Sequence, residues 1–198
     1  MIIKDWRKDV FTIPNLLSLF RLVLIPVYVV IYLHADEAKD YVLAGIILAA
    51  SCLTDLVDGK IARKFNMITT LGKFLDPLAD KATQFALLIC LAVRYNVLWS
   101  VLTLFVLKEL FQLVAGILAA RKGRILKGAL FSGKVCTTIL FTSFVVMVVF
   151  PQLNPAIVNT IALVDGLFLM VAFADYFLTY LGRDSKFQSL DDAPSADV

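Results

Sequence analysis

The sequence predicts an all-α integral membrane protein: six transmembrane helices preceded by a short N-terminal interfacial amphipathic helix. Three observations carry that prediction. Hydrophobic residues fill 60% of the 198 positions and charged residues only 18%, against roughly 45–50% and about 25% in soluble domains, and mean hydropathy is +0.85. The apolar residues gather in six runs, each close to the roughly 20 residues a helix needs to cross hydrocarbon. Lysine and arginine are segregated between alternate connections, as the positive-inside rule requires of a multi-pass protein.

The elements follow in order. Residues 1–13, "MIIKDWRKDVFTI", alternate charges with large apolar side chains and read as a segment lying in the membrane interface. No small-residue cleavage site follows the first apolar run, which argues against a cleaved signal peptide. The membrane domain is expected over 14–182. Its spans are Pro14–Leu33, Tyr41–Arg63, Leu71–Tyr95, Val97–Ala120, Phe131–Phe150 and Asn154–Leu181. Residues 183–198 form a polar tail, expected to be disordered at its end. Trp6, Tyr95, Trp99 and Tyr180 read as interface anchors, and no internal repeat is evident.

One side of the membrane would carry Lys4, Arg7, Lys8, Lys60, Arg63, Lys64, Arg121, Lys122, Arg124, Lys127, Arg183 and Lys186; the other would carry Lys39 and Arg94. Both termini and the connections between spans two and three and between spans four and five are therefore expected in the cytoplasm. Cys52, Cys90 and Cys136 lie in apolar runs without a CxxC spacing and read as buried small residues. His34, the single histidine, reads as interfacial.

Four carboxylates break the apolar pattern. Asp55 and Asp58 stand three apart near the end of span two, and Asp76 and Asp80 four apart near the start of span three. Each spacing puts its pair on one helix face. At 1.5 Å rise per residue, Asp55 lies about 21 Å from Tyr41 and Asp80 about 13 Å beyond Leu71, so an antiparallel helix pair brings all four to a similar shallow depth. Each acid in hydrocarbon costs about 2.5–3.5 kcal/mol on insertion scales, and mutual repulsion adds to that. Lys73, Lys81 and Arg63 supply part of the compensation. Hard divalent cations suit carboxylate oxygens better, and two such ions a few ångströms apart are a known arrangement for phosphoryl chemistry. Gly59 and Gly72 flank the acids, where a missing side chain lets helices or a ligand approach closely, and Pro77, between Asp76 and Asp80, removes one intrahelical hydrogen bond and should kink span three.

Further intramembrane charges are Arg21, which needs a partner the sequence does not identify, and Lys108, Glu109, Asp165 and Asp175. Lys108 and Glu109 are adjacent, so they are not expected to face each other.

The stretch Asp55-x-x-Asp58-Gly59-x-x-Ala62-Arg63, eight residues, then Gly72-x-x-x-Asp76-x-x-x-Asp80 resembles the signature of the CDP-alcohol phosphotransferase family at every position. The opening "IPNLLSLFRLVLIP" and "LGKFLDPLADK" look most like its phosphatidylglycerophosphate synthase branch, and "SGKVCTT" is similar to a Gly-Lys segment there. Cys136 stands where a second basic residue is common in that branch, and Lys108-Glu109 stands for an Arg-Glu pair. The resemblance implies an enzyme that transfers a phosphatidyl group from CDP-diacylglycerol to glycerol 3-phosphate and releases CMP. The alternative within the family is a cardiolipin synthase using phosphatidylglycerol.

The same resemblance implies that Asp55, Asp58, Asp76 and Asp80 hold two divalent cations, Mg²⁺ or Mn²⁺, and that Asp80 is the general base. Gly59, Ala62, Arg63 and Gly72 would shape the cytidine diphosphate site, with Arg63 as phosphate contact. Lys134, Arg121, Arg124 and Lys127 are the candidate acceptor contacts. Lys134 leads because a lysine inside span five is costly. Expected partners are the two substrates, membrane lipids and a second copy of the chain, with no nucleic acid. Outside the family, a small cation or proton transporter would also place acids in a membrane, but it would string them along a path rather than gather them at one face. An assembly subunit would leave them without a purpose.

Overall fold

A computed structural model describes residues 12–64, 72–126, 128, 130–182 and 187–189. Six helices stand where the six apolar runs were expected: α1 (Ile13–Leu33), α2 (Ala38–Lys64), α3 (Gly72–Arg94), α4 (Leu98–Arg121), α5 (Phe131–Val149) and α6 (Pro155–Leu181). Two short strands, β1 (Arg124–Leu126) and β2 (Phe187–Ser189), complete the described chain. Among the described residues four helices, α1, α4, α5 and α6, are long and apolar enough to cross a membrane. The expected interfacial segment lies outside the described residues up to residue 11, and Ile13 already belongs to α1.

Local chemistry sets the helix ends. Thr12 precedes α1 in extended conformation, and Pro14 falls in the first turn, where a missing N–H costs nothing. Asp40 accepts the N–H groups of Asp36 and Glu37 ahead of α2, satisfying donors the helix itself cannot. Asn154 caps α6 by accepting from the Ala156 N–H at 2.9 Å, with Pro155 directly after it. Helix α4 stops at Gly123, whose φ of 71° is left-handed and suits glycine.

The chain divides into two compact units, the first comprising Met1–Arg94 with Phe144–Gln152 and the second Tyr95–Ser143 with Leu153–Val198. In the first, α1 packs against both α2 and α3. The burial pattern of α1 is inverted relative to a soluble protein. Asn15, Ser18 and Arg21 are buried, while Leu16, Leu19, Phe20, Val23, Val27 and Val30 are exposed. Lipid is the solvent that accepts such an apolar outside, and packing against neighbouring helices satisfies the polar inside. Toward the end of α1, the Tyr28 and Tyr32 rings meet at a tilt and Tyr32 meets Tyr41 edge-on, and Arg94 lies 4.5 Å from the Tyr41 centroid and donates to the Pro151 carbonyl at 2.7 Å.

In the second unit α4 packs on α6. Phe111 contacts Phe173, Phe177 and Tyr180, and α6 buries Val158, Ala162, Asp165, Leu169, Ala172, Tyr176 and Thr179 as one stripe at alternating spacings of three and four. Strands β1 and β2 pair antiparallel, Arg124 opposite Ser189 and Leu126 opposite Phe187. This ties part of the polar tail to the α4–α5 connection. The Arg124 guanidinium sits 4.5 Å from the Phe187 ring centroid.

Candidate active site

Asp76 and Asp80 lie one turn apart in the first half of α3, both turned toward α1. The Ser18 hydroxyl donates to Asp76 Oδ1 at 2.5 Å, and Arg21 Nη1 donates to Asp80 Oδ1 at 2.6 Å. The Arg21 side chain is 2% exposed and that of Asp80 51%. The pair is therefore closed at its cationic end and open at its anionic end. Arg21, whose partner the sequence left open, is thus tied to a signature aspartate. Below this level α1, α2 and α3 surround a small apolar cleft lined in part by Leu24, Tyr28, Leu48, Thr83 and Leu87. Pro77 lies between the two acids inside a helix that continues unbroken to Arg94.

Asp55, Asp58, Gly59, Ala62 and Arg63 occupy the last part of α2, and their side chains lie outside the described residues. Gly72 opens α3 and is buried. Among the described residues no group of three acids, histidines or cysteines is placed to hold a metal ion. The described half of the acidic set nonetheless fits a hard divalent cation: two carboxylates on one helix face, each steadied through one oxygen, with Asp80 half open.

The candidate acceptor residues belong to the second unit. Arg121 ends α4 and is exposed, Arg124 is half-buried in β1, and Lys127 lies outside the described residues. Lys134 is exposed in the first turn of α5. Lys108 and Glu109 correct the expectation from adjacency, because Lys108 Nζ meets Glu109 Oε1 at 2.6 Å. The lysine is almost fully buried, and its long flexible stem lets it reach a carboxylate on the adjacent residue. Two hydroxyl–carboxylate bonds escaped sequence reasoning altogether, Ser132 to Asp175 and Ser143 to Asp165 at 2.9 Å. So did the Tyr176 hydroxyl, which accepts the Leu130 N–H. All of these contacts lie within the second unit.

Comparison with known proteins now decides the family. The sequence model of the family described as CDP-alcohol phosphatidyltransferase matches residues 11–174. This chain belongs to the CDP-alcohol phosphatidyltransferase family. It is 35% identical over 133 residues to the "Probable phosphatidylglycerophosphate synthase" of Mycobacterium tuberculosis, covering 66% of this chain and 63% of that protein. It is 36% identical over 92 residues to the "CDP-diacylglycerol–glycerol-3-phosphate 3-phosphatidyltransferase" of Escherichia coli, covering 46% of this chain and 50% of that protein. An 88-residue stretch is 46% identical to part of a "Cardiolipin synthase (CMP-forming) / mitochondrial hydrolase fusion protein" of Schizosaccharomyces pombe, covering 44% of this chain and 14% of that protein. The matches to the two bacterial relatives thus span from half to just under two thirds of their length.

Proposed function

We propose that this chain transfers the phosphatidyl group of CDP-diacylglycerol to glycerol 3-phosphate, forming phosphatidylglycerophosphate and CMP. The observation that carries the reading is the complete signature from Asp55 to Asp80, with Asp76 and Asp80 held on one face by α1. The names of the bacterial relatives point to the same reaction.

Asp55, Asp58 and Asp76 hold two divalent cations, Mg²⁺ or Mn²⁺, with Asp80 completing the set. When bound, such ions neutralise the diphosphate oxygens and stabilise the departing CMP. Arg63 donates its planar N–H groups to the phosphates, and Gly59, Ala62 and Gly72 leave room for the nucleotide beside the backbone. Asp80 takes the proton from the acceptor hydroxyl. That oxygen then bonds to the lipid-side phosphorus as the bond to the CMP oxygen breaks. Arg121, Arg124, Lys127 and Lys134 draw in the anionic acceptor. Helices α2 and α3 also cross the membrane, giving six spans, with both termini and the site on the cytoplasmic side, and the enzyme works as a homodimer.

The 46% match to the cardiolipin synthase fusion protein supports a second acceptor, phosphatidylglycerol. A panel of acceptors separates the two: glycerol 3-phosphate, phosphatidylglycerol, inositol phosphate and serine, each offered to purified protein with CDP-diacylglycerol and Mg²⁺. CMP release only with glycerol 3-phosphate, abolished by chelator, is the expected result. Product only from phosphatidylglycerol moves the assignment to cardiolipin synthesis. No release with any acceptor removes the transferase reading.

A further inference from the structure

The polar stripe of α1 has no counterpart in the roles given above. Asn15, Ser18 and Arg21 stand at intervals of three, are 1%, 0% and 2% exposed, and lie on the face of α1 opposite to its exposed leucines and valines. Two of the three each meet a signature aspartate of α3, in the same order along both helices: Ser18 to Asp76 at 2.5 Å, then Arg21 to Asp80 at 2.6 Å. Stability alone does not account for this. A buried ion pair is often no more stabilising than well-packed apolar residues of similar volume, and α1 has apolar residues at most of its other positions. What an apolar contact would not do is fix the plane of a carboxylate.

We propose that Ser18 and Arg21 are positioning residues, each setting the orientation of one signature carboxylate before any ion or substrate arrives. Arg21 suits the task because its guanidinium is planar and permanently charged, so it fixes direction as well as charge. Ser18 does the same for Asp76 without adding charge, which leaves the anionic character of the site for cations. Hydrogen-bond partners of metal-binding side chains commonly change metal affinity or activity by about 10–100-fold when removed. The inference rests on the reading that Asp76 and Asp80 hold divalent cations.

The sign of one measurement separates orientation from bulk electrostatics. Removing a cation beside a metal site lowers repulsion and by itself tightens metal binding. Lost orientation weakens it. The test is titration of the full chain in detergent with Mn²⁺, without substrate, following free Mn²⁺ by electron paramagnetic resonance, for the parent and the Arg21→Met, Arg21→Lys and Ser18→Ala variants.

The expected result is an Mn²⁺ Kd raised about 10–100-fold in Arg21→Met, raised less in Ser18→Ala, and partly restored in Arg21→Lys. In turnover assays kcat should fall in parallel, with KM for CDP-diacylglycerol changed by less than about threefold. Unchanged or tighter Mn²⁺ binding in both Arg21→Met and Ser18→Ala overturns the inference even if the parent is a fully active transferase. Conversely, weaker Mn²⁺ binding in the variants of a parent that releases no CMP keeps the inference and discards the transferase reading. Should Arg21→Met not fold, Ser18→Ala removes no charge and carries the same test at Asp76.

Discussion

Replacing Asp80 with asparagine and replacing Arg21 with methionine break the same ion pair, yet the structure predicts unequal costs. Two unit charges about 4 Å apart attract by about 4 kcal/mol at an effective dielectric of 20 and by about 1 kcal/mol in water. With one partner 2% exposed and the other 51%, the attraction falls between, at about 2 kcal/mol. The remainder depends on what each change leaves behind. Asp80→Asn leaves a guanidinium that cannot deprotonate inside a closed site, costing about 3 kcal/mol, the low end of the range for a broken buried pair. Arg21→Met leaves an aspartate that turns to solvent, and the hydration it regains offsets part of the lost attraction, for a net cost of about 1 kcal/mol, as at a surface pair. At about 2–4 °C per kcal/mol for a chain of this size, Asp80→Asn should lower the melting temperature by about 6–12 °C and Arg21→Met by about 2–4 °C. The double variant should melt close to Arg21→Met, because the buried cation is gone in both. The assay is thermal unfolding of the full chain in detergent with chelator present, so that bound metal does not mask the pair. Equal shifts for the two single variants, or additive losses in the double variant, would refute the asymmetry. The result also bears on activity: loss of turnover in Asp80→Asn is evidence of a base role only when measured well below the lowered melting temperature.

Four other substitutions test separate parts of the fold. A Cβ at Gly133 would lie 2.7 Å from the Tyr176 hydroxyl oxygen, whereas one at Gly45 would meet nothing within 4 Å; Gly133→Ala should destabilise by about 1–3 kcal/mol, and Gly45→Ala should be neutral or gain up to about 1 kcal/mol from helix propensity, both read by thermal unfolding. Asp165 is fully buried, and among the described residues its Oδ2 has no hydrogen-bond partner, so Asp165→Asn, which removes a charge and keeps an acceptor for Ser143, should melt at the same temperature as the parent or higher. The Glu37 N–H, and then that of Asp36, hold the Asp40 carboxyl below its usual value; the stabilisation this gives is present above the unfolded value of about 3.9 and fades as pH falls through the lower folded value, so the melting difference between parent and Asp40→Asn at pH 7 should close in acid.

What the sequence carried, and what it did not, divides by range. The helices were legible because a run of about 20 apolar residues is a local signal: the expected Pro14–Leu33 and Asn154–Leu181 stand as Ile13–Leu33 and Pro155–Leu181. The acidic signature was legible because spacings of three and four fix a helix face whatever surrounds it. The partner of Arg21 was not, because Asp80 is 59 residues away and only the packing of α1 on α3 selects it among the intramembrane acids. The Lys108–Glu109 pair ran against a sound rule. Adjacent residues point apart on a helix, but a long flexible lysine stem can still bring its ammonium to the neighbouring carboxylate. The pairing of Phe187–Ser189 with Arg124–Leu126 left no trace in hydropathy, since a three-residue strand in a polar tail has no period to read.

The exposures within the charged pairs argue that the first unit's pair serves chemistry. An ion pair that only joins helices has no use for an open end, because an exposed end returns part of the attraction to water. Lys108 and Glu109 approach that limit, at 5% and 20% exposed, and being neighbours on one helix they join nothing. Arg21 and Asp80 depart from it in one direction only: the cation is sealed and the carboxylate left half open. A cation held in place behind an accessible anion is a poor strut, since the accessible partner is the one free to be competed away by solvent or ions. It is a good support, because the sealed partner fixes the carboxylate while the open side remains reachable. The same helix holds Asp76 through a neutral hydroxyl, so of the two contacts that Ser18 and Arg21 make to these acids, the one to Asp80 brings a fixed positive charge and the one to Asp76 does not.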